Sequence, residues 1–231
     1  MKRLISMMVI GIVMLAAVGK ASALGVSVGA AAWYADWQIR EEGGSWETMD
    51  RTVLYGPVLA LRFSQNLSLS SAFLYGRFSH TDGGGNPEVI ARMDSDTTLI
   101  YGLGQYFKLF AGVKYMGYKV SVNDSSHASL GPGAGFGIVL PLAGNFYFTG
   151  NFSGMYLWGE DKNDNPGNND FIEYGFNANA ALTYVFTSAP VGISLGGRYQ
   201  YIESEYEETS DRNMNQRIFG VTVSAIYSFE I

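Results

Sequence analysis

Residues 217–230 read Arg217-Ile-Phe219-Gly-Val221-Thr-Val223-Ser-Ala225-Ile-Tyr227-Ser-Phe229-Glu230. Phe219, Val221, Val223, Ala225, Tyr227 and Phe229 fall at every second position, and the residues between them are mostly small or polar. Side chains of a strand alternate between its two faces. The stretch is therefore a strand with one greasy face and one modest face, ending on an aromatic.

The same alternation recurs upstream. It marks strands at about 25–37, 52–63, 67–79, 97–105, 107–122, 133–140, 146–158, 172–186 and 191–201, ten with the last. On the second, Val53, Tyr55, Pro57, Leu59, Leu61 and Phe63 share a face. The sixth is the weakest: Gly131-Pro-Gly133-Ala-Gly135-Phe-Gly137 is Gly-rich and lacks the Lys-Ser/Thr and helix of a phosphate loop. It reads as a bent strand where neighbours approach closely. If it folds as loop instead, the count falls to eight.

Long and short connections alternate. The long ones are 38–50, 80–96, 123–132, 159–170 and 204–216. The short ones are 64–66, the turn near Tyr106, 142–145 and 188–190. Transmembrane barrels show this asymmetry, and they close because no water at membrane depth satisfies a sheet edge. Aromatics gather at strand ends as belts do. Trp33, Tyr34, Trp37, Tyr75, Tyr115, Tyr156, Trp158, Tyr174, Tyr199 and Tyr201 lie toward the long loops. Phe63, Phe107, Phe146, Tyr184, Phe186 and Phe229 lie toward the short turns.

The start of the chain is a secretory signal. Lys2 and Arg3 precede an apolar run from Leu4 to Val18, and Ala21-Ser22-Ala23 is a cleavage site. Residues 1–23 are thus expected as signal peptide and 24–231 as one barrel domain. The apolar run is short for a helical span of ~20 residues. Charged residues make up 16% of the chain, against ~25% in average soluble domains, which suits a surface half turned to lipid. Removing Lys2, Arg3 and Lys20 takes the formal net charge from -6 to about -9, which argues against nucleic-acid binding. The chain holds no Cys, so neither a lipoprotein anchor nor a disulfide framework is available.

With the greasy phase on lipid, the opposite phase places a polar cluster in the lumen: Arg62, Lys114, Asn151, Glu173, Asn177, Arg198 and Gln200. Arg or Lys facing lipid at the midplane costs roughly 2–4 kcal/mol, so these belong inside. Small barrels are usually filled by side chains, and Arg62, Lys114 and Arg198 are expected to pair with Glu173. The small lumen-phase residues Gly112, Gly175, Gly192, Ser194, Gly196, Gly220 and Ser224 leave room for a narrow solute path instead.

No residue is assigned a catalytic, cofactor-binding or metal-binding role. Asp161-Lys-Asn163-Asp164-Asn165-Pro166-Gly167-Asn168-Asn169-Asp170 has oxygen ligands at alternate positions, but Pro166 stands at the turn and no Glu closes the loop. His80-Thr-Asp82 and Asp94-Ser-Asp96 resemble the Asp–His and Asp pairs of omptin proteases, although both fall in one connection. His127-Ala-Ser129 resembles the His-x-Ser of outer-membrane lipid A deacylases, in surroundings that do not match that family. The acidic connections, with Glu41, Glu42, Glu47, Glu160, Asp161, Glu205, Glu207 and Glu208, read as solvated surface.

The ending at Phe219, Val221, Val223, Tyr227 and Phe229 resembles the last strand of bacterial outer-membrane barrels, which the assembly machinery reads. The whole mature chain is similar to small barrels of the opacity-protein, OmpX and OmpW type. The resemblance implies an all-β, antiparallel, up-and-down barrel in the Gram-negative outer membrane, with both termini periplasmic. It implies outer-membrane lipid, lipopolysaccharide and the assembly machinery as partners of a monomer. The implied role is structural or surface-interacting, through the long loops; a narrow channel is the alternative, and an outer-membrane hydrolase a more distant one.

Overall fold

The computed structural model describes residues 25–81, 85, 87–122, 125–162, 170–206 and 213–230. The expected signal peptide lies outside them. The strands are β1 (Gly25–Glu41), β2 (Glu47–Thr48), β3 (Thr52–Arg62), β4 (Leu67–Thr81), β5 (Pro87–Leu103), β6 (Phe107–Val120), β7 (Ser126–Pro141), β8 (Phe146–Lys162), β9 (Asp170–Val185), β10 (Val191–Tyr206) and β11 (Met214–Glu230).

Apart from the two-residue β2, each strand pairs antiparallel with the next, and β11 returns to β1. That last seam runs from Gly25↔Glu230 to Glu41↔Met214 without a break. Ten long strands therefore form a closed up-and-down barrel, and the alternating phase is its cause. On β11, Phe219, Val221, Val223, Tyr227 and Phe229 all point outward and are exposed. So do Val53, Tyr55 and Leu59 of β3 and Leu182 of β9. An apolar exterior is stable only when lipid replaces water around it.

The exterior divides into zones. On β8 the apolar band runs from Phe146 to Trp158, and Glu160 follows. On β11 it runs from Phe229 to Phe219, and Arg217 follows. Three tyrosines of the upper girdle aim their hydroxyls away from the band at polar groups. Tyr174 donates to Glu205 at 2.6 Å, Tyr201 donates to Asn215, and Tyr75 accepts from Arg77 Nε at 3.0 Å. A strand of 17 residues, as in β1 and β11, covers roughly 56 Å along its axis. Tilted by ~40°, it rises well beyond an apolar band of ~25 Å. The excess forms a polar collar at one end of the barrel.

This collar changes the lengths expected of the connections. The loop expected at 80–96 is strand as far as Thr81 and again from Pro87, and that expected at 123–132 is strand from Ser126. Above the lipid band the outward phase no longer needs to be apolar, so period two in hydrophobicity fades although the strand continues. The sixth expected strand is regular β7, paired on both sides, which excludes the eight-stranded alternative. At the other end the turns are tight; Gly104 takes a φ of 66° that residues with a Cβ disfavour.

Trp33 and Trp37 do not join the aromatic belt. Both are fully buried inside the barrel, while Tyr34 between them faces out. β1 carries apolar residues in both phases, so periodicity alone cannot tell its two faces apart. Trp37 heads a cluster with Phe78, Leu54, Leu74, Ile90 and Ile218 in the loop-end half of the lumen.

Candidate functional site

Inward side chains of the loop-end half form one continuous polar and aromatic network. Its lowest layer is built on Asp96 of β5. Lys114 Nζ donates to both Asp96 oxygens at 3.0 Å, and Arg198 Nη2 to one of them at 3.2 Å. The register puts Lys114 directly across from Asp96. Arg198, from the far side of the barrel, also donates to Asn177 at 3.0 Å and Gln200 at 3.1 Å. Its guanidinium lies 4.5 Å from the centre of the Trp33 ring, a cation–π contact shielded from water.

One layer higher, Arg92 and Asp94 form an ion pair with side chains 1% and 2% exposed. Arg92 Nη1 donates to Gln216 at 3.3 Å, and its guanidinium sits 4.7 Å from the Trp37 ring centre. Met116 links the two layers, receiving Gln200 Nε2 at 2.9 Å and Arg92 Nη2 at 3.9 Å.

The top layer surrounds Glu173, which is fully buried. Four groups donate to it: His127 Nε2 at 2.9 Å, Ser204 Oγ at 2.9 Å, Gln216 Nε2 at 3.4 Å and Ser129 Oγ. His127 Nδ1 meets Asp161 at 2.6 Å, and Asp161 also accepts from the Tyr206 hydroxyl at 2.7 Å. A ring with a carboxylate at each nitrogen is satisfied as imidazolium, since only that form donates twice. Its faces are covered by Tyr118 and Phe171, with ring centres 4.6 and 4.1 Å away. Gly159 makes this packing possible: a Cβ there would stand 2.1 Å from the Phe171 ring. Trp37, Tyr118, His127, Phe171 and Tyr206 thus form a chain of touching rings across the mouth.

Of the seven residues assigned to the lumen from the sequence, Lys114, Asn177, Arg198 and Gln200 come together around Asp96 and Met116. Glu173 stands higher, and its cation is His127; the expected pairing with Arg62, Lys114 and Arg198 does not occur. Asn151 sits lower and donates to Asn179 at 2.6 Å. Arg62 is apart, at the turn end, 2.5 Å from Glu230. Sequence reasoning missed Arg92, Asp94, Asp96, His127, Asp161 and Gln216 as interior groups. The phase signal was present: Arg92, Asp94 and Asp96 continue the phase of Thr98 and Ile100, and Gln216 that of Gly220 and Ser224.

The paired acid motifs dissolve in this geometry. Asp94 and Asp96 are committed to Arg92, Lys114 and Arg198, His80 lies 3.9 Å from Glu47, and Asp82 is outside the described residues. His127 and Ser129 are on β7, not in a loop. Both His127 nitrogens are occupied and Ser129 donates to Glu173, so no Ser-to-His relay exists. Residues 163–169 of the calcium-like stretch lie outside the described residues.

No protein-family model matches the chain, and no curated protein is similar to it in sequence. Solved structures are similar in backbone. The outer-membrane protease OmpT from Escherichia coli is 10% identical, with 92% of this chain and 100% of that one covered and a TM-score of 0.54. The translocator domain of the autotransporter NalP from Neisseria meningitidis is 12% identical, with 91% and 90% covered and a TM-score of 0.47. The β domain of the Bordetella autotransporter Brka is 10% identical, with 91% and 100% covered and a TM-score of 0.46. The OmpT likeness speaks to fold alone: the chain has the closed antiparallel barrel architecture of outer-membrane proteins.

Proposed function

We propose that this chain is a monomeric barrel of the Gram-negative outer membrane, with a closed lumen and a structural or surface-interaction role. In this reading the short turns and both termini face the periplasm. The collar and its connections stand in the outer leaflet's lipopolysaccharide and beyond it. One observation carries the closed lumen: the unbroken network from Trp33 and Arg198 up to Asp161 and Tyr206. Its charges are paired and its rings touch, so water has no continuous file to follow. Single-channel recording of the refolded mature protein in a planar bilayer tests this. The parent barrel is expected to be silent, whereas changing Trp33 to Ala together with Lys114 and Arg198 to Ser is expected to produce steps. Reproducible steps from the parent would overturn the reading in favour of a narrow channel. That alternative draws support from a cavity of about 270 Å³ lined by Ser70, Thr98, Lys108, Asn151 and Asn179 below Asp96.

The outward row of Phe219, Val221, Val223, Tyr227 and Phe229 supports a second part of the proposal, that the assembly machinery reads this strand. Phe229→Ser is expected to cut the heat-modifiable, folded fraction in cell outer membranes several-fold. Spontaneous refolding in detergent is expected to stay intact. Equal losses in both settings would show a stability defect and no recognition.

A further inference from the structure

The cavity under Asp96 contains one cation that the network does not use. Lys108, at the turn end of β6, has no hydrogen-bond or ion-pair partner among the described residues. The register sets Lys108 beside Gly137, and Gly137 beside Asn151 on the next strand. Gly137 is the cradle for both. A Cβ there would stand 2.4 Å from Asn151 Oδ1 and 2.7 Å from Lys108 Cε. Both side chains therefore lean over the same bare patch of wall, and the amide oxygen and the ammonium stem converge. The Asn151 Oδ1 atom is itself buried and has no donor within the protein, while its Nδ2 is held by Asn179. A buried acceptor left without a donor is destabilising, so a ligand that supplies one is favoured.

Around this pair the wall is neutral and hydroxylic, with Ser70, Thr98 and Ser153. The ceiling carboxylate, Asp96, is shared by two cations, Lys114 and Arg198, so it presents no net negative charge to an incoming anion. A lone ammonium in a small, low-dielectric pocket attracts an anion more strongly than it would in water.

We propose that the lumen below Asp96 is a binding site for a small oxyanion that carries its own hydroxyl, with Lys108 contacting the charge and Asn151 Oδ1 accepting the hydroxyl proton. Hydrogenphosphate and small hydroxycarboxylates share this chemistry. Sulfate has similar size and charge but no proton to donate, so the orphan acceptor discriminates against it. The site goes beyond the closed-lumen reading and does not require it, because binding and conductance are separate observables.

The test is calorimetric titration of the refolded mature barrel, in a phosphate-free zwitterionic detergent at neutral pH, with inorganic phosphate, lactate, acetate and sulfate in turn. Phosphate or lactate is expected to bind more tightly than sulfate or acetate; which of the two binds distinguishes a phosphate site from a hydroxycarboxylate site. Lys108→Met is expected to weaken binding by about tenfold or more, the scale of one charge-assisted hydrogen bond, with Lys108→Arg restoring it. Asn151→Leu is expected to abolish the preference over the protonless anion while leaving residual binding through Lys108. Heat-modifiable migration establishes that each variant is folded. Absence of binding to all four anions, equal affinity for phosphate and sulfate in the parent, or unchanged binding in folded Lys108→Met overturns the proposal. A silent bilayer with no binding defeats this inference alone; steps from the parent barrel with phosphate bound defeat the closed lumen alone.

Discussion

Glu173→Ala is expected to destabilise the folded barrel by about 3–5 kcal/mol, the scale of breaking a buried charged pair from one side. The carboxylate is the acceptor for His127, Ser129, Ser204 and Gln216 at once. Its removal strands those donors where no solvent reaches them, and leaves the imidazolium with Asp161 alone. The loss is larger than a single hydrogen bond, worth about 0.5–1.5 kcal/mol net, because four donors lose their shared acceptor together. Equilibrium unfolding in urea, followed by tryptophan fluorescence in lipid bilayers, measures it; Trp37 packs on the Tyr118 ring that in turn covers His127. Glu173→Gln, which keeps the shape and an acceptor oxygen, is expected to fall between the parent and the alanine variant. A loss below about 1 kcal/mol for Glu173→Ala would mean that water enters this layer and that the closed lumen is wrong.

Arg92→Ala is expected to have an effect of the same size, about 3–5 kcal/mol, for the same reason. Asp94, with its side chain 2% exposed, loses its ion-pair partner and keeps only the more distant Lys114 and Arg198 among the described residues, and the Trp37 face loses a guanidinium 4.7 Å from its centre. The informative companion is the double variant Arg92→Met with Asp94→Leu. Well-packed apolar replacement of a buried ion pair is often neutral or stabilising by about 1–4 kcal/mol. The double variant should therefore recover most of the stability that Arg92→Ala loses. A double-mutant cycle on the same unfolding assay gives the coupling. If Arg92→Met and Asp94→Leu, made singly and together, add without coupling, the pair does not act as a unit. Both experiments bear on the proposed function, since the closed-lumen reading rests on these layers.

Much of the fold is written in local pattern. Val53, Tyr55, Leu59 and the row Phe219 to Phe229 announce outward faces, because lipid demands an apolar residue at each outward position within the band. The breaks at 64–66, near Tyr106, at 142–145 and at 188–190 mark one end through turn residues. Where that demand lapses, so does legibility. Residues 87–96 and 126–132 are strand in the collar, and nothing outside them needs to be apolar there. Their inward residues are largely polar, with Arg92, Asp94 and Asp96 on one and His127 and Ser129 on the other, so hydropathy reads loop where hydrogen-bond pairing continues. β1 fails differently: with Ala30, Ala32 and Tyr34 outward and Ala31, Trp33 and Trp37 inward, both faces look alike.

The interior shows the same division. That Lys114, Glu173, Arg198 and Gln200 face inward follows from their phase and from the cost of charge in lipid. Which acid meets which cation does not. Asp96 serves Lys114 by direct cross-strand pairing and Arg198 from the opposite wall, 102 positions along the chain. His127 finds Glu173 and Asp161 on β9 and β8. Barrel closure, strand tilt and side-chain reach bring these groups to one height, and none of the three is visible in local sequence. The sequence by itself thus determined the lipid-facing phase of most strands and the polarity of the interior, because each is a one-residue choice between hydrocarbon and water. Only the tertiary structure decided between ten strands and eight, and which interior charges pair above the cavity lined by Lys108, because both depend on distances across the barrel.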